Sequence, residues 1–243
     1  MTDCPFGTCD GSGFIVDTET RVTTACRCRP QRIAERRARR LNSVIPRRYR
    51  GASFDRAPVT NMDPFVVKEV RRYVADLDAN LDSGRGLWLV GKVGTGKTTL
   101  AMVVAQAALE RRRTVGIYSA PKLLSELRRT FGDDSQGTFH DIIDALAAVD
   151  LMHLDDAGAE RSNEWVLEQL YTIVNARYED ERSIIVTSNL EPTELEKQLG
   201  ERTVSRLHEM CGDALPLHDD VDHRTEVTLP TSIAPGGYGR LPS

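Results

Sequence analysis

The chain has 243 residues, of which 40% are hydrophobic and 28% are charged, so it is long enough for one core domain with appendages. No apolar run approaches the ~20 residues that a membrane-spanning helix needs. The N-terminus also lacks the apolar stretch of a signal peptide, so we expect a cytoplasmic protein. The net charge of −4 combines +6 over residues 1–56 with −10 over the rest of the chain. A basic head of this kind favours a nucleic acid or an acidic partner, with a solvated helix face as the alternative.

Residues 1–30 are predicted to form a cysteine module. Cys4 and Cys9 make one close pair and Cys26 and Cys28 make a second, with turn residues and a predicted short hairpin between the pairs. Because a cytosolic chain keeps its thiols reduced, two such pairs favour bound Zn²⁺. A zinc ion held by four thiolates would stabilise a segment that is too small for a core of its own. A disulfide and unliganded thiols stay open as alternatives.

An arginine-rich segment follows the cysteine module. Residues 31–45 have a helical pattern with arginine on nearly every face, and residues 31–62 are predicted to be this helix and a linker. Another helix is expected to begin at Asp63-Pro64, since aspartate suits an N-cap and proline suits the first helical turn. Residues 63–229 are predicted to be the main domain. Residues 230–243 are rich in proline and glycine and are predicted to be a disordered tail.

Short apolar strands alternate with helices from residue 86 onward. The predicted strands are 86–91, 114–119, 150–155, 183–188 and, less clearly marked, 215–218. The predicted helices are 97–112, 121–131, 139–148, 163–180 and 200–210. This alternation predicts an α/β fold, with a parallel sheet between two layers of helices.

Residues 91–98 fit the pattern G-x-x-x-x-G-K-[ST], the phosphate-binding loop of nucleoside triphosphatases, between a predicted strand and a predicted helix. Glycines let backbone N–H groups approach phosphate oxygens, and the helix N-terminus adds partial positive charge. Lys97 is predicted to reach the β- and γ-phosphates of ATP, and the Thr98 hydroxyl to bind Mg²⁺. The predicted nucleotide-binding residues are Gly91, Val93, Gly94, Thr95, Gly96, Lys97, Thr98 and Thr99.

Polar side chains end two of the later strands. Asp155 and Asp156 follow an apolar run, and Asn189 follows strand 183–188. Asp155 is predicted to hold Mg²⁺, directly or through water. Asp156 is predicted to orient or deprotonate the attacking water, which Asn189 could position against the γ-phosphate. An acidic turn without a catalytic role is the alternative for the two aspartates.

Two arginines lie on one face of the last predicted helix, because Arg202 and Arg206 are four residues apart. An exposed arginine at this place can act in trans on the nucleotide of a neighbouring subunit and stabilise transition-state charge. A surface ion pair with Glu201 or Glu209 is the alternative use.

Together these residues resemble the AAA+ ATPases, and within them the bacterial and phage DnaC/DnaI-type helicase loaders and the IstB-like ATP-binding proteins. The resemblance covers about residues 44–229 and includes the N-terminal cysteines more loosely. The stretches that carry it are residues 45–54 before the domain, 165–171 with 175–178 after the paired aspartates, 187–190 at the sensor position, and 200–207 on the arginine helix.

The resemblance implies a five-stranded sheet, ATP bound between the subunits of a ring or spiral, and little or no helical lid. It implies that Arg206 is the arginine finger, with Arg202 as a second candidate, while Asp222-His223-Arg224 could supply an arginine to the nucleotide. By the same resemblance we expect an ATPase that docks on a replicative DNA helicase and helps place it on single-stranded DNA. Arg128 and Arg129 are candidates for phosphate contacts with that strand, with a solvated helix end as the alternative.

Three other functions stay open. An IstB-like helper of a transposase would use the same ATPase chemistry. A nucleotide-switched adaptor with negligible turnover is motivated by Asp156, which stands where many AAA+ proteins have glutamate. Since its shorter side chain holds the attacking water less well, we expect slow hydrolysis. We also expect that assembly or DNA stimulates this hydrolysis. A small-molecule kinase is disfavoured, because a monomeric kinase has no use for Asn189 and Arg206 in this order.

Overall fold

Strands and helices alternate through the part of the chain that the computed structural model describes, which is residues 4, 6–16, 22–29, 45–129, 136–160 and 162–217. The strands are β1 (Phe14–Val16), β2 (Thr23–Ala25), β3 (Leu87–Gly91), β4 (Val115–Ser119), β5 (Leu151–Asp155), β6 (Ser183–Ser188) and β7 (Leu215–Leu217). The helices are α1 (Pro64–Ala75), α2 (Leu77–Asp82), α3 (Lys97–Glu110), α4 (Ala120–Arg129), α5 (Gln136–Ala148), α6 (Glu164–Glu179), α7 (Pro192–Leu199) and α8 (Glu201–Cys211). Two 3₁₀ turns lie at Arg47–Tyr49 and Val59–Asn61.

A five-stranded parallel sheet with the order β4-β5-β6-β3-β7 organises the larger part of the molecule. The three central strands are buried over nearly their whole length, as strands covered on both faces must be. The predicted α/β fold with a five-stranded parallel sheet is therefore confirmed. Since all five strands are parallel, the carboxyl ends of β3, β5 and β6 meet at one edge of the sheet.

Two hydrophobic cores lie on the two faces of the sheet, because successive side chains of a strand point to opposite sides. Trp88 of β3 joins the core formed with α4, α5, α6, α7 and α8. Leu89, the next residue, joins the core formed with α1, α2 and α3. The Trp88 ring also meets His208 of α8 edge to face, with ring centroids 5.1 Å apart. The helix that carries the two candidate arginines thus packs directly against the strand that leads into the phosphate loop.

The start of α1 follows the predicted capping pattern. The Asp63 carboxylate accepts hydrogen bonds from the backbone N–H groups of Phe65 (2.8 Å) and Val66 (3.3 Å), and Pro64 occupies the first helical turn. The helical spacing that continues to Leu81 in the sequence belongs to two helices, since α1 ends at Ala75 and α2 begins at Leu77. Helix α7 was not predicted, because a helix of eight residues leaves little periodic signal.

Several sequence predictions lie outside the described residues. They are residues 31–44 of the arginine-rich helix, the tail at 230–243, and Asp222-His223-Arg224. Within the described residues, α8 is followed by the short strand β7 and by no further helix. None of the described helices is long and apolar enough to cross a membrane.

Arg177 of α6 is a buried cation that connects three elements at the amino edge of the sheet. Its guanidinium donates to the carbonyl oxygens of Leu146 (2.6 Å) at the end of α5, Val149 (2.9 Å) before β5, and Ser183 (2.6 Å) in β6. Burial lowers the pKa of Arg177 to about 9, so the side chain stays charged at neutral pH. Each of these three carbonyl groups thus receives a hydrogen bond from a charged donor.

Replacing Arg177 by Met should therefore lower the free energy of unfolding by about 3 kcal/mol, because several buried carbonyl groups lose their donors. The matched control is Arg182→Met, because the Arg182 side chain is 41% exposed and its guanidinium pairs with Asp150 at 3.0 Å. An ion pair of this exposure is worth less than about 1 kcal/mol. Urea unfolding of both variants measures the difference, and equal losses would contradict the structural role assigned to Arg177.

Candidate functional site

The phosphate loop connects β3 to α3 in the way that its sequence predicts. Gly94 (φ 92°) and Gly96 (φ 93°) adopt left-handed backbone conformations, which side chains with a Cβ rarely tolerate. Gly96 is also the N-cap residue of α3, so the loop leads directly into the N-terminus of this helix. Unpaired N–H groups and the positive end of the helix dipole make such a terminus a binding place for phosphate.

Lys97 lies within the loop and is only 5% exposed. Its ammonium group donates to the carbonyl oxygens of Gly91 and Lys92, each at 2.7 Å. The ammonium is therefore held over the loop, where phosphate oxygens are able to replace the two carbonyl partners.

Asp155 lies at the end of β5 and receives donors from two other elements at a single oxygen. Its Oδ1 accepts from the hydroxyls of Thr98 (2.8 Å) and Thr187 (2.6 Å), and His153 Nε2 lies 3.4 Å away. Burial raises the pKa of Asp155, but the neighbouring His153, Thr187 and Thr98 outweigh it and lower the pKa to about 2. The carboxylate is therefore ionised at neutral pH. A threonine hydroxyl beside an ionised carboxylate is an oxygen-rich pair that suits Mg²⁺.

His153 was missed by the sequence analysis. It is fully buried in β5 on the same face as Asp155, because side chains two residues apart in a strand point to the same side. That alternation was the signal available in the sequence.

Asp156 and Asn189 lie together at the carboxyl edge of the sheet, as predicted. Both line a cavity of about 630 Å³, together with Gly94, Lys97 and Thr98. This volume lies in the range of small-molecule and cofactor sites. The cavity brings the phosphate loop and the predicted water-positioning residues to one space.

The opposite wall of this cavity was not predicted to bind anything. It is formed by residues between Arg48 and Pro58, in the segment that precedes α1. Gln106 of α3 donates to the carbonyl oxygen of Tyr49 at 2.7 Å and so fixes the 3₁₀ turn on the helix that follows the phosphate loop. A segment held in this way can cover the part of a nucleotide that extends beyond its phosphates.

Arg202 and Arg206 do not line the cavity of their own chain. Arg202 is exposed on α8. The Arg206 guanidinium lies 3.9 Å from the centre of the Tyr178 ring and forms an ion pair with Glu209 at 3.2 Å. The pairing with Glu209 that stood as the alternative is thus present. The Arg206 side chain is 32% exposed.

The four N-terminal cysteines converge, and the predicted hairpin between the two pairs is present as β1 and β2. All four Sγ atoms lie within 4.8 Å of one another, with 3.8 Å between Cys4 and Cys26 and 3.5 Å between Cys9 and Cys28. Tetrahedral zinc with Zn–S bonds of about 2.3 Å needs sulfur atoms about 3.8 Å apart. The donor set and its spacing therefore fit a zinc ion.

Local hydrogen bonds prepare this cluster for a cation. Burial raises the pKa of the Cys4 thiol, but hydrogen bonds from Thr8 and from the backbone of Phe6 and Cys9 outweigh it and lower the pKa to about 5. Burial and the neighbouring thiols raise the pKa of Cys28 to about 12. A bound metal ion would favour the thiolate form of every ligand.

Comparisons with known proteins point to one group. The family model of the IstB-like ATP-binding proteins matches residues 26–209. The replicative helicase loader DnaC of Buchnera aphidicola subsp. Acyrthosiphon pisum (strain APS) is 26% identical over 181 residues, which are 72% of this chain and 72% of that protein. Protein XkdC of the phage-like element PBSX of Bacillus subtilis (strain 168) is 28% identical over 236 residues, which are 89% of this chain and 84% of that protein.

A solved structure of the DnaC helicase loader is similar in fold. It matches with a TM-score of 0.59 at 26% sequence identity, over 71% of this chain and 99% of that chain. The AAA+ phosphate-loop fold that the sequence predicts is therefore confirmed.

Lys97→Ala should reduce the affinity for ATP about 100-fold or more, because the loop loses a charge-assisted contact to phosphate. Lys92→Ala is the matched control, since it removes an exposed lysine from the same loop. Fluorescence titration with a labelled ATP analogue measures both variants. Retained binding by Lys97→Ala would show that the nucleotide binds elsewhere.

Proposed function

Since this chain belongs to the family of IstB-like ATP-binding proteins, we propose that it is an ATP-dependent loader of a replicative DNA helicase. The observation that carries the proposal is the similarity to the DnaC helicase loader over 99% of that chain, combined with a complete set of phosphate-loop and acidic residues around one cavity. The chain would dock on the helicase and help it onto single-stranded DNA during the initiation of replication. Such a role belongs in the cytoplasm.

In the proposed ATPase site, the phosphate loop holds ATP and Lys97 exchanges its carbonyl partners for the β- and γ-phosphates. Thr98 and Asp155 would hold Mg²⁺, which would supply positive charge against the developing phosphate charge. Asp156 orients or deprotonates the attacking water, and Asn189 positions it. These roles are supported by the hydrogen bond between Thr98 and Asp155 and by the shared cavity.

Hydrolysis is proposed to be slow in the isolated chain. Asp156 has one methylene fewer than glutamate, so its carboxylate reaches less far toward the γ-phosphate. Arg202 and Arg206 lie outside the cavity of their own chain, which supports a contribution from a neighbouring subunit. We therefore propose that ATP binding favours a homo-oligomer and that assembly or DNA stimulates turnover.

The zinc module is the proposed docking element for the helicase. Cys4, Cys9, Cys26 and Cys28 would hold Zn²⁺ and so order the β1–β2 hairpin, whose side chains Phe14 and Ile15 are 37% and 38% exposed. Exposed apolar residues on an ordered hairpin suit contact with another protein.

Contact with single-stranded DNA is proposed for the end of α4. The Arg128 guanidinium lies 4.9 Å from the centre of the Trp165 ring, so a cation and an aromatic ring are adjacent at the surface. Stacked rings and arginine side chains are the groups with which proteins bind single strands without sequence preference.

A helper of a transposase is the second candidate, and the description of the matching family as IstB-like favours it. It would use the same ATP site with a different protein partner. An adaptor that binds ATP with negligible turnover is the third, and only a hydrolysis assay distinguishes it.

The docking proposal is tested with the purified replicative helicase of the host and full-length protein in the presence of ATP. We expect capture of the helicase and about one zinc ion per chain. Cys28→Ser should lose both, because it removes a fully buried ligand, while ATP binding stays unchanged. Cys211→Ser is the matched control, since this cysteine lies outside the cluster. Zinc-free wild-type protein, or capture of a transposase in place of the helicase, would overturn the corresponding part of the proposal.

Arg206→Ala should leave ATP binding unchanged and lower assembly-dependent hydrolysis by about 1,000-fold. Mixing Arg206→Ala chains with Lys97→Ala chains tests action in trans. The second variant binds ATP at least about 100-fold more weakly but still offers its arginine, so the mixture should recover part of the hydrolysis. Arg202→Ala serves as the comparison. Full activity of Arg206→Ala with loss in Arg202→Ala would move the finger to Arg202, and no recovery in the mixture would contradict action in trans.

A further inference from the structure

The Thr187 side chain, fully buried at the end of β6, makes two hydrogen bonds to neighbouring acidic residues. Its hydroxyl donates to Asp155 Oδ1 at 2.6 Å and accepts from the backbone N–H of Asp156 at 3.1 Å. A hydroxyl has one hydrogen to donate and lone pairs to accept, so Thr187 acts in both capacities at once.

These bonds continue the sheet beyond the point where its regular pairing stops. The register of β5 with β6 ends at Leu154 opposite Val186. After that point the carbonyl oxygen of Thr187 accepts from the N–H of Ala157 at 2.9 Å, and the Ser188 hydroxyl donates to the carbonyl oxygen of Ala157 at 2.7 Å. The turn that carries both aspartates is thus tied to the end of β6.

The turn needs this support because Asp156 has a φ of 57°. A left-handed conformation costs a residue with a Cβ roughly 1–2 kcal/mol. Such strain persists only where the surrounding structure fixes it. The bond from the Asp156 N–H to Thr187 is one of the contacts that do so.

We propose that Thr187 is a positioning residue for the ATPase reaction, which aims the Asp155 carboxylate at Mg²⁺ and holds Asp156 in its left-handed conformation. The inference rests on the proposed function. With Oδ1 of Asp155 engaged by Thr187 and Thr98, Oδ2 is the oxygen left for the metal ion or its water. Asn189, which would position the water against the γ-phosphate, lies two residues after Thr187. Thr187 therefore connects the segment that carries Asn189 to both acidic residues.

Thr187→Val keeps the size and the β-branching and removes only the hydroxyl. We expect the Mg²⁺ concentration that half-saturates ATP binding to rise about tenfold, and kcat to fall about tenfold, since each hydrogen bond to a charged group contributes at about this level. Affinity for ATP in EDTA should match the wild type, because the phosphate loop is unchanged. Thr187→Ser keeps the hydroxyl and should restore both values to within about threefold.

Ser183→Ala is the matched control, because it removes a buried hydroxyl at the other end of the same strand, where it donates to the carbonyl oxygen of Asn80 at 3.2 Å. It should leave the Mg²⁺ dependence unchanged. The electron paramagnetic resonance signal of Mn²⁺ bound together with nucleotide gives a second readout that does not depend on turnover.

If the wild-type protein binds ATP, either of two results would overturn this inference without affecting the proposed function. The first is that Thr187→Val has the same Mg²⁺ dependence as the wild type. The other is an equal loss of affinity in EDTA and in Mg²⁺, which would reveal a merely structural role. A wild-type chain that binds no nucleotide at all would overturn the proposed function and this inference with it.

Discussion

One oxygen atom, Oδ1 of Asp155, is the point on which the arrangement of the site depends. Thr98 at the start of α3 and Thr187 at the end of β6 both donate to it, so the phosphate loop and β6 are joined through one carboxylate. A parallel sheet makes this possible because the carboxyl ends of its strands share an edge. The donors also offset the loss of hydration that a buried carboxylate suffers, and this is why the group stays ionised.

The stability of the β1–β2 hairpin depends on the cysteine cluster rather than on apolar burial. The β1–β2 hairpin has three residues in each strand, and Phe14, Ile15 and Val22 remain exposed, so apolar burial contributes little to its stability. The buried sulfur atoms are the centre of this module. A metal ion would therefore supply most of the stabilising free energy. The apolar side chains that the hairpin does not bury are the ones proposed to contact a partner.

The carboxyl edge of the sheet was predictable because short-range patterns mark its residues. A glycine loop with Lys97 follows one apolar strand, and Asp155 ends another. The wall between Arg48 and Pro58 was not predictable, since its position depends on a hydrogen bond from Gln106 to the backbone of Tyr49, 57 positions away. The role of Thr187 was hidden for the same reason. The sequence shows a threonine at the end of a strand, but only the strand order reveals which carboxylate it meets.

Arg206, the proposed arginine finger, makes only weak contacts within its own chain. Within its own chain the guanidinium stacks on Tyr178 and pairs with Glu209, and exposed contacts of this kind contribute less than about 1 kcal/mol each. An arginine held so weakly can be drawn away by the stronger charge-assisted bonds that phosphate offers. In the proposed ring or spiral, a neighbouring chain with bound nucleotide would offer that phosphate. Under this proposal turnover would depend on the arrival of a second chain, because the Asp156 carboxylate is one methylene shorter than that of glutamate.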